Sequence, residues 1–140
     1  MLNKLLLAVD DSKYSELAAG VAIDLALRYN ASLDVISVVP LPMPGGSVGE
    51  VNEIKTEGER RLGKALESVR RKAEERGQPV KTELLYGHVA ENIIKYATNS
   101  KADLIVMGYK GSSAVKDFLL GSVSTRVLHH APGSVLLVRD

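Results

Sequence analysis

The chain has 140 residues, 45% apolar and 25% charged, within the range of a soluble globular fold, and residues 1–140 read as one domain. A formal net charge of +1, from 18 basic and 17 acidic residues, gives no basis for a nucleic-acid or membrane-surface role. The absence of cysteine excludes disulfides, a thiol nucleophile and cysteine-ligated metals.

Leu5-Leu6-Leu7-Ala8-Val9 is an unbroken apolar run, short enough for a strand buried on both faces. It leads into Asp10-Asp11-Ser12, which stop the strand and can cap a helix. The start lacks the basic residues of a secretory leader, and no run approaches the ~20 apolar residues of a membrane span, so the expected location is cytoplasmic. Leu17, Val21 and Leu25, with Ala18, Ala22 and Ala26, recur at helical spacing until Asn30-Ala31. A second strand covers Leu33 to Val39. Pro40, Pro42, Pro44, Gly45, Gly46 and Gly49 predict one long irregular stretch, an excursion over the surface.

A charged helix follows, with Leu62, Leu66, Val69 and Ala73 on one face, Arg60, Arg61, Lys64, Arg70 and Arg71 elsewhere, and Gly77 at its end. Val80, Thr82 and Leu84 alternate with Lys81 and Glu83, the period of a strand with one wet face at a sheet edge. Ala90, Ile93, Ile94 and Ala97 mark a third helix, and Leu104-Ile105-Val106-Met107 a fourth buried strand. A last helix from Ser122 to His130 stops before Pro132-Gly133, and Val135 to Val138 form a closing strand.

This βαβαβαβαβ order argues for an open parallel sheet with helices on both faces and right-handed connections. Ligands then sit beyond the carboxyl ends of the strands, where strand order reverses. The Asp10-Asp11-Ser12 turn and the Gly108–Ser122 loop share one pocket if strands one and four are neighbours, an adjacency the pattern leaves open. An apolar closing strand at a sheet edge needs cover, and a two-fold pair through Val135–Val138 is the simplest source of it.

Gly108-Tyr109-Lys110-Gly111, then nine residues, then Gly121-Ser122 follows the fourth strand directly. Glycine permits close approach of backbone to a ligand, and a helix start offers unpaired N–H groups and a partial positive charge. Together they make a phosphate cradle, to which the Ser122 and Ser124 hydroxyls can add donors while Ser122 also reads as a helix cap. Lys110 and Lys116 are candidates for neutralising phosphate. His129 and His130 diverge by ~100° on a helix and do not face one ligand. His88, at a strand end, is a lesser candidate near the site. Gly45-Gly46-Ser47-Val48-Gly49 follows prolines rather than a strand and reads as flexible loop.

With these residues in place, the chain resembles the universal stress proteins along nearly its whole length, specifically their ATP-binding branch. Val9-Asp10-Asp11-Ser12 is similar to the family's first-strand turn, with Asp11 where glycine is common. Gly108-x2-Gly111-x9-Gly121-Ser122 matches the signature of the nucleotide-binding branch in its fixed positions, and Ala131-Pro132 before the closing strand is also typical.

The resemblance implies a Rossmann-like, adenine nucleotide alpha hydrolase-like α/β fold with strand order 3-2-1-4-5, strands three and five being the edges. It implies ATP as ligand, with Mg or Mn held on the phosphates rather than by protein ligands. Asp10 would lie against the adenosine, and Ala8 and Val38 would line the adenine slot. Gly108, Gly111, Gly121, Ser122, Val123 and Ser124 would wrap the ribose and phosphates, with Val9, Met107 and Lys110 completing the contact set. Relatives usually pair through the last strand, so a homodimer is expected. The function implied is that of an ATP-binding stress-response or regulatory protein, in which occupancy orders the segments 40–50 and 108–121 and alters a surface that partners read.

Two alternatives stand beside it. A slow ATPase or adenylate-handling enzyme of the same fold stays open, although neither Gly-x4-Gly-Lys-Ser/Thr nor Ser-Gly-Gly-x-Asp-Ser occurs and no base is evident beside a γ-phosphate. A phosphoacceptor receiver domain would suit Asp10-Asp11, but it needs an aspartate at the end of strand three, where Leu84-Leu85-Tyr86-Gly87 stands. It also needs a lysine after strand five and a closing helix, which are expected to be missing. A dehydrogenase reading lacks its Gly-x-Gly-x-x-Gly.

Overall fold

Nine elements alternate along the chain: β1 (Lys4–Ala8), α1 (Lys13–Tyr29), β2 (Ser32–Pro40), α2 (Val48–Glu75), β3 (Val80–Gly87), α3 (Val89–Ser100), β4 (Leu104–Gly108), α4 (Ser122–His130) and β5 (Ser134–Val138). They are seen in a computed structural model that describes residues 1–42, 47–111 and 121–140. The five strands form one parallel sheet in the order β3-β2-β1-β4-β5. Strands one and four are therefore neighbours, in register from Leu5 opposite Leu104 to Leu7 opposite Val106. This supplies the adjacency that the sequence pattern leaves open.

The sheet separates two cores, because successive side chains of a strand point to opposite faces. Leu5 and Leu7 of β1 join a cluster with Ala18, Ala22 and Ile23 of α1 and with Leu66, Val69 and Ala73 of α2. Leu6 and Ala8 join the other cluster, with Ala90 and Ile93 of α3 and Val127 of α4. Each helix pair thus covers one face, and the carboxyl ends of β1 and β4 open between them.

Two expectations change in detail. On α1 the buried stripe is Tyr14, Ala18, Ala19, Ala22, Ile23 and Ala26, whereas Leu17 is 40% exposed. Small side chains let this helix come close to the sheet, and that closeness governs the inward face more than hydrophobicity does. The irregular stretch after β2 is shorter than its prolines and glycines suggest: Pro40 closes the strand and α2 begins at Val48. The Ser47 hydroxyl accepts the Glu50 N–H at 3.2 Å, and this cap starts the helix despite Gly49. β3 continues past the alternating residues to Gly87, the strand end expected from the sequence, and retains the mixed exposure of an edge strand.

One long-range tie fixes the lower end of the sheet. Asp103 accepts the backbone N–H groups of Asn3 and Lys4, each at 2.8 Å, and these bonds hold its carboxyl below the usual carboxylate range.

Gly58 of α2 lies against β2: a Cβ built there would be 2.5 Å from Val39 Cγ1, whose side chain is fully buried. Gly63, one turn on, has nothing within 4 Å of that position. Gly58→Ala is expected to destabilise by about 1–3 kcal/mol through overpacking, while Gly63→Ala gains about 0.5–1 kcal/mol from helix propensity. Urea unfolding of the two variants checks the opposite signs.

Candidate functional site

The exit of β1 is a hydrogen-bonded turn. The Val9 N–H donates to the Ile36 carbonyl at 2.9 Å, and the Ser37 hydroxyl donates to the Val9 carbonyl at 2.7 Å. The Asp10 N–H donates to Ser15 Oγ at 2.8 Å, and that hydroxyl in turn donates to Asp10 Oδ1 at 2.9 Å. Asp10 Oδ1 also accepts the Ser12 N–H at 2.8 Å, while Ser12 Oγ caps α1 by accepting the Ser15 N–H at 3.2 Å. The sequence suggests that Ser12 could cap and release Asp10. The cap is indeed Ser12, but one oxygen of Asp10 is committed to organising the turn. The other, Oδ2, lies 2.6 Å from where a Cβ on Gly111 would stand. Only glycine at 111 lets the carboxylate of the first loop rest against the backbone of the second.

The exit of β4 is equally constrained. A Cβ on Gly108 would come within 2.7 Å of Tyr14 Cβ and 3.0 Å of the Tyr14 carbonyl carbon. Gly108 therefore serves the packing of α1 on β4. The Tyr109 N–H donates to the Val138 carbonyl at 3.0 Å, carrying the ladder with β5 one residue beyond the strand. The Tyr109 carbonyl accepts twice, from the Gly121 N–H at 3.2 Å and from the Ser124 hydroxyl at 2.6 Å.

Those two bonds seat the start of α4 beside Lys110 and Gly111. The N-cap is Gly121, not Ser122 as its residue type suggests, and among the described residues no side chain caps the helix. α1 and α2 are each capped by a serine hydroxyl. Ser122, Val123 and Ser124 are thus the first helical residues, the positions at which a helix presents its N–H groups outward. Ser122 is exposed, whereas Ser124 is 2% exposed and its hydroxyl proton is engaged inside, which corrects its expected part as a phosphate donor.

A cavity of about 330 Å³ lies between the two exits. Its lining brings together the whole contact set that the resemblance implies: Ala8, Val9, Asp10, Val38, Met107, Gly108, Lys110, Gly111, Gly121, Ser122, Val123 and Ser124. The size is within the span of small-molecule sites. Lys110 is buried, with Nζ 5.4 Å from the Tyr14 ring centroid and 5.5 Å from that of Tyr109. The two rings meet edge to face at 4.7 Å, and the Arg139 guanidinium lies 4.7 Å from the Tyr109 centroid. Hydrogen bonding to the Tyr109 side chain, followed by burial, raises the Tyr14 hydroxyl above its ordinary range. The ammonium of Lys110 is therefore within cation–π reach of both rings.

His88, His129 and His130 are exposed and none lines the cavity. Lys116 and Gly45-Gly46 lie outside the described residues. The lining also includes Ser15, Ile36, Ser37, Pro40, Arg61, Leu62, Val89 and Ile93, which the sequence reading misses as site residues. Ser37 could have been noticed as the one hydroxyl inside the apolar run 35–39. Arg61 carries no such signal, since its place depends on where α2 crosses β2.

A family profile described as "Universal stress protein family" matches residues 1–139. The chain belongs to the universal stress protein family. Among its relatives, a universal stress protein of Methanocaldococcus jannaschii is 38% identical over 145 aligned positions, which cover 99% of this chain and 83% of the relative. The solved structure of the universal stress protein UspA from Lactobacillus plantarum superposes with a TM-score of 0.86 at 25% identity, covering 99% of this chain and 98% of that one. A universal stress protein solved in complex with cAMP superposes with a TM-score of 0.75 at 25% identity, covering 98% and 97%. These likenesses agree with the parallel 3-2-1-4-5 sheet of this universal stress protein.

In this family member, Ser15 both accepts from and donates to Asp10, so its removal strands a backbone N–H at the first loop. Ser15→Ala is expected to cost about 1–3 kcal/mol despite alanine's better helix propensity. Denaturant unfolding gives the number, and an unchanged midpoint would show the turn to be held by other bonds.

Proposed function

We propose that this universal stress protein binds an adenine nucleotide, ATP in particular, in the cavity between the exits of β1 and β4, and acts as a stress-response regulator through that occupancy. The observation that carries the reading is the glycine-capped start of α4, seated on the Tyr109 carbonyl so that its first turn lines a cavity with Gly111. Helix starts of this kind favour anions through both their N–H groups and their dipole. The cAMP complex of a relative supports the ligand class.

On this reading Ala8, Val38 and Met107 hold the base, and Val9 and Asp10 flank the sugar. Gly108, Gly111, Gly121, Ser122 and Val123 receive the phosphates chiefly through main-chain groups. Ser124 and Lys110 support the loop more than they touch ligand. Among the described residues no group of three or more His, Asp or Glu is arranged to hold a metal ion. On this reading a Mg or Mn ion accompanying ATP takes its oxygens chiefly from the phosphates.

Assembly is the second half of the reading. β5 is the last strand of the sheet, and Leu136 on it is 36% exposed. A second copy pairing along Val135–Val138 would satisfy this edge and bury its apolar side chains. Light scattering at micromolar concentration is expected to return a dimer mass; a monomer mass would refute the pairing.

Melting scans with ATP, GTP and cAMP, with and without Mg or Mn, test the binding. Nucleotide at 100 times its dissociation constant adds about 2.7 kcal/mol to stability. Ser122→Glu places a carboxylate in the first turn of α4, where it suits the helix but repels phosphate. The variant is expected to keep the melting temperature of the free protein and lose the ATP shift. No shift of the unsubstituted protein with any nucleotide, or a full shift in Ser122→Glu, would overturn the reading.

A further inference from the structure

Arg61 stands where α2 meets the exit of β2. On one side of it along the helix is Gly58, packed on Val39, and on the other Leu62, which is buried in the core. Arg61 shares a surface groove with Val39 and Pro40, and it also lines the main cavity. Its Nη1 donates to Asp11 Oδ1 at 2.9 Å, an ion pair that spans from α2 to the turn after β1, with the arginine side chain 34% exposed. That pair is the single hydrogen bond found for Arg61 among the described residues, leaving Nε and Nη2 without one.

The backbone of Arg61 stands away from the anion cradle, and its side chain reaches from there to Asp11 in the turn after β1. β2 and β4 flank β1 on opposite sides, so their exits are about 10 Å apart, two interstrand spacings. The α4 start is at the β4 exit and Arg61 at the β2 exit. At that β2 end the cavity is lined by Ile36, Val38 and Pro40, with Ser37 among them, its hydroxyl turned to the Val9 carbonyl. Arg61 and Leu62 flank the cavity from one face of the sheet, Val89 and Ile93 from the other.

A guanidinium is planar, weakly hydrated and donor-only. Beside a largely apolar slot it suits the face of an aromatic base, and its N–H groups suit ring nitrogens and ribose oxygens. The Asp11 carboxylate fixes its plane in advance, which lowers the ordering cost on binding.

We infer that Arg61, oriented by Asp11, is a specificity-determining residue for the nucleoside end of the ligand, meeting base and ribose rather than phosphate. The inference rests on the nucleotide reading above and adds a contact on α2 to a site otherwise built from β1, β4 and α4. Arg61→Ala loses only an exposed ion pair in the free protein, which contributes little to folding. Arg61→Met, which keeps the apolar stem, serves the same comparison should the alanine variant be unstable.

Calorimetric titrations with adenosine, AMP, ATP and inorganic tripolyphosphate decide it. Arg61→Ala is expected to weaken adenosine, AMP and ATP alike, by about tenfold, and to leave tripolyphosphate unchanged. Arg61→Lys should not restore the loss, and Asp11→Ala should show a smaller loss of the same pattern. A loss that grows with phosphate number, or unchanged affinity for all ligands, would overturn the role of Arg61 while leaving the nucleotide site standing. Failure of the unsubstituted protein to bind adenosine, AMP or ATP would remove both readings.

Discussion

The carbonyl of Tyr109 is the point on which the candidate site depends. It accepts from the Gly121 N–H and from the buried Ser124 hydroxyl, and so brings the first turn of α4 back to the end of β4. A helix start so held is anchored by groups other than its own first N–H donors. With glycine at the N-cap, the cap residue itself brings no side-chain oxygen to those donors. The same carbonyl thus both closes the fold and keeps a set of main-chain donors at the cavity wall.

Close backbone approach is the physical condition for this arrangement. At 108 a side chain would meet Tyr14 of α1, at 111 the Asp10 carboxylate, and at 121 the Cα of Lys110, 3.3 Å away. The three glycines therefore have different duties: one packs a helix, one joins two loops, one seats a helix start. All three line the candidate cavity. The alanine stripe of α1 belongs to the same logic, since the helix must lie near the sheet for Tyr14 to reach Gly108.

Charge in the site is handled by pairing. Asp10 accepts hydrogen bonds from the turn it organises, and Asp11 is paired with Arg61 on a different element. Lys110 lies over two tyrosine rings. The cationic and anionic side chains near the cavity are in this way held in fixed positions before any ligand arrives, which is the condition for recognition at low entropic cost. Membership of the universal stress protein family is consistent with such a preformed site.

Local pattern was enough to reveal the alternation of strands and helices, the two-sided burial of β1 and β4, the edge character of β3 and the glycine spacing after β4. Each is a property of neighbours along the chain: an apolar run, a period of two, a residue type at a fixed offset. The resemblance supplied the strand order. It was the tertiary structure that decided that Gly121 rather than Ser122 is the cap, that Ser124 donates inward and that Lys110 lies over Tyr14 and Tyr109. It likewise brought Arg61 and Ser15 to the cavity. Those outcomes depend on where one element crosses another, and a side chain's partner across such a crossing leaves no periodic trace in its own segment. The chain's residue types set which backbone conformations and faces were available; the packing of α1, α2 and α4 around the β1–β4 exits chose among them.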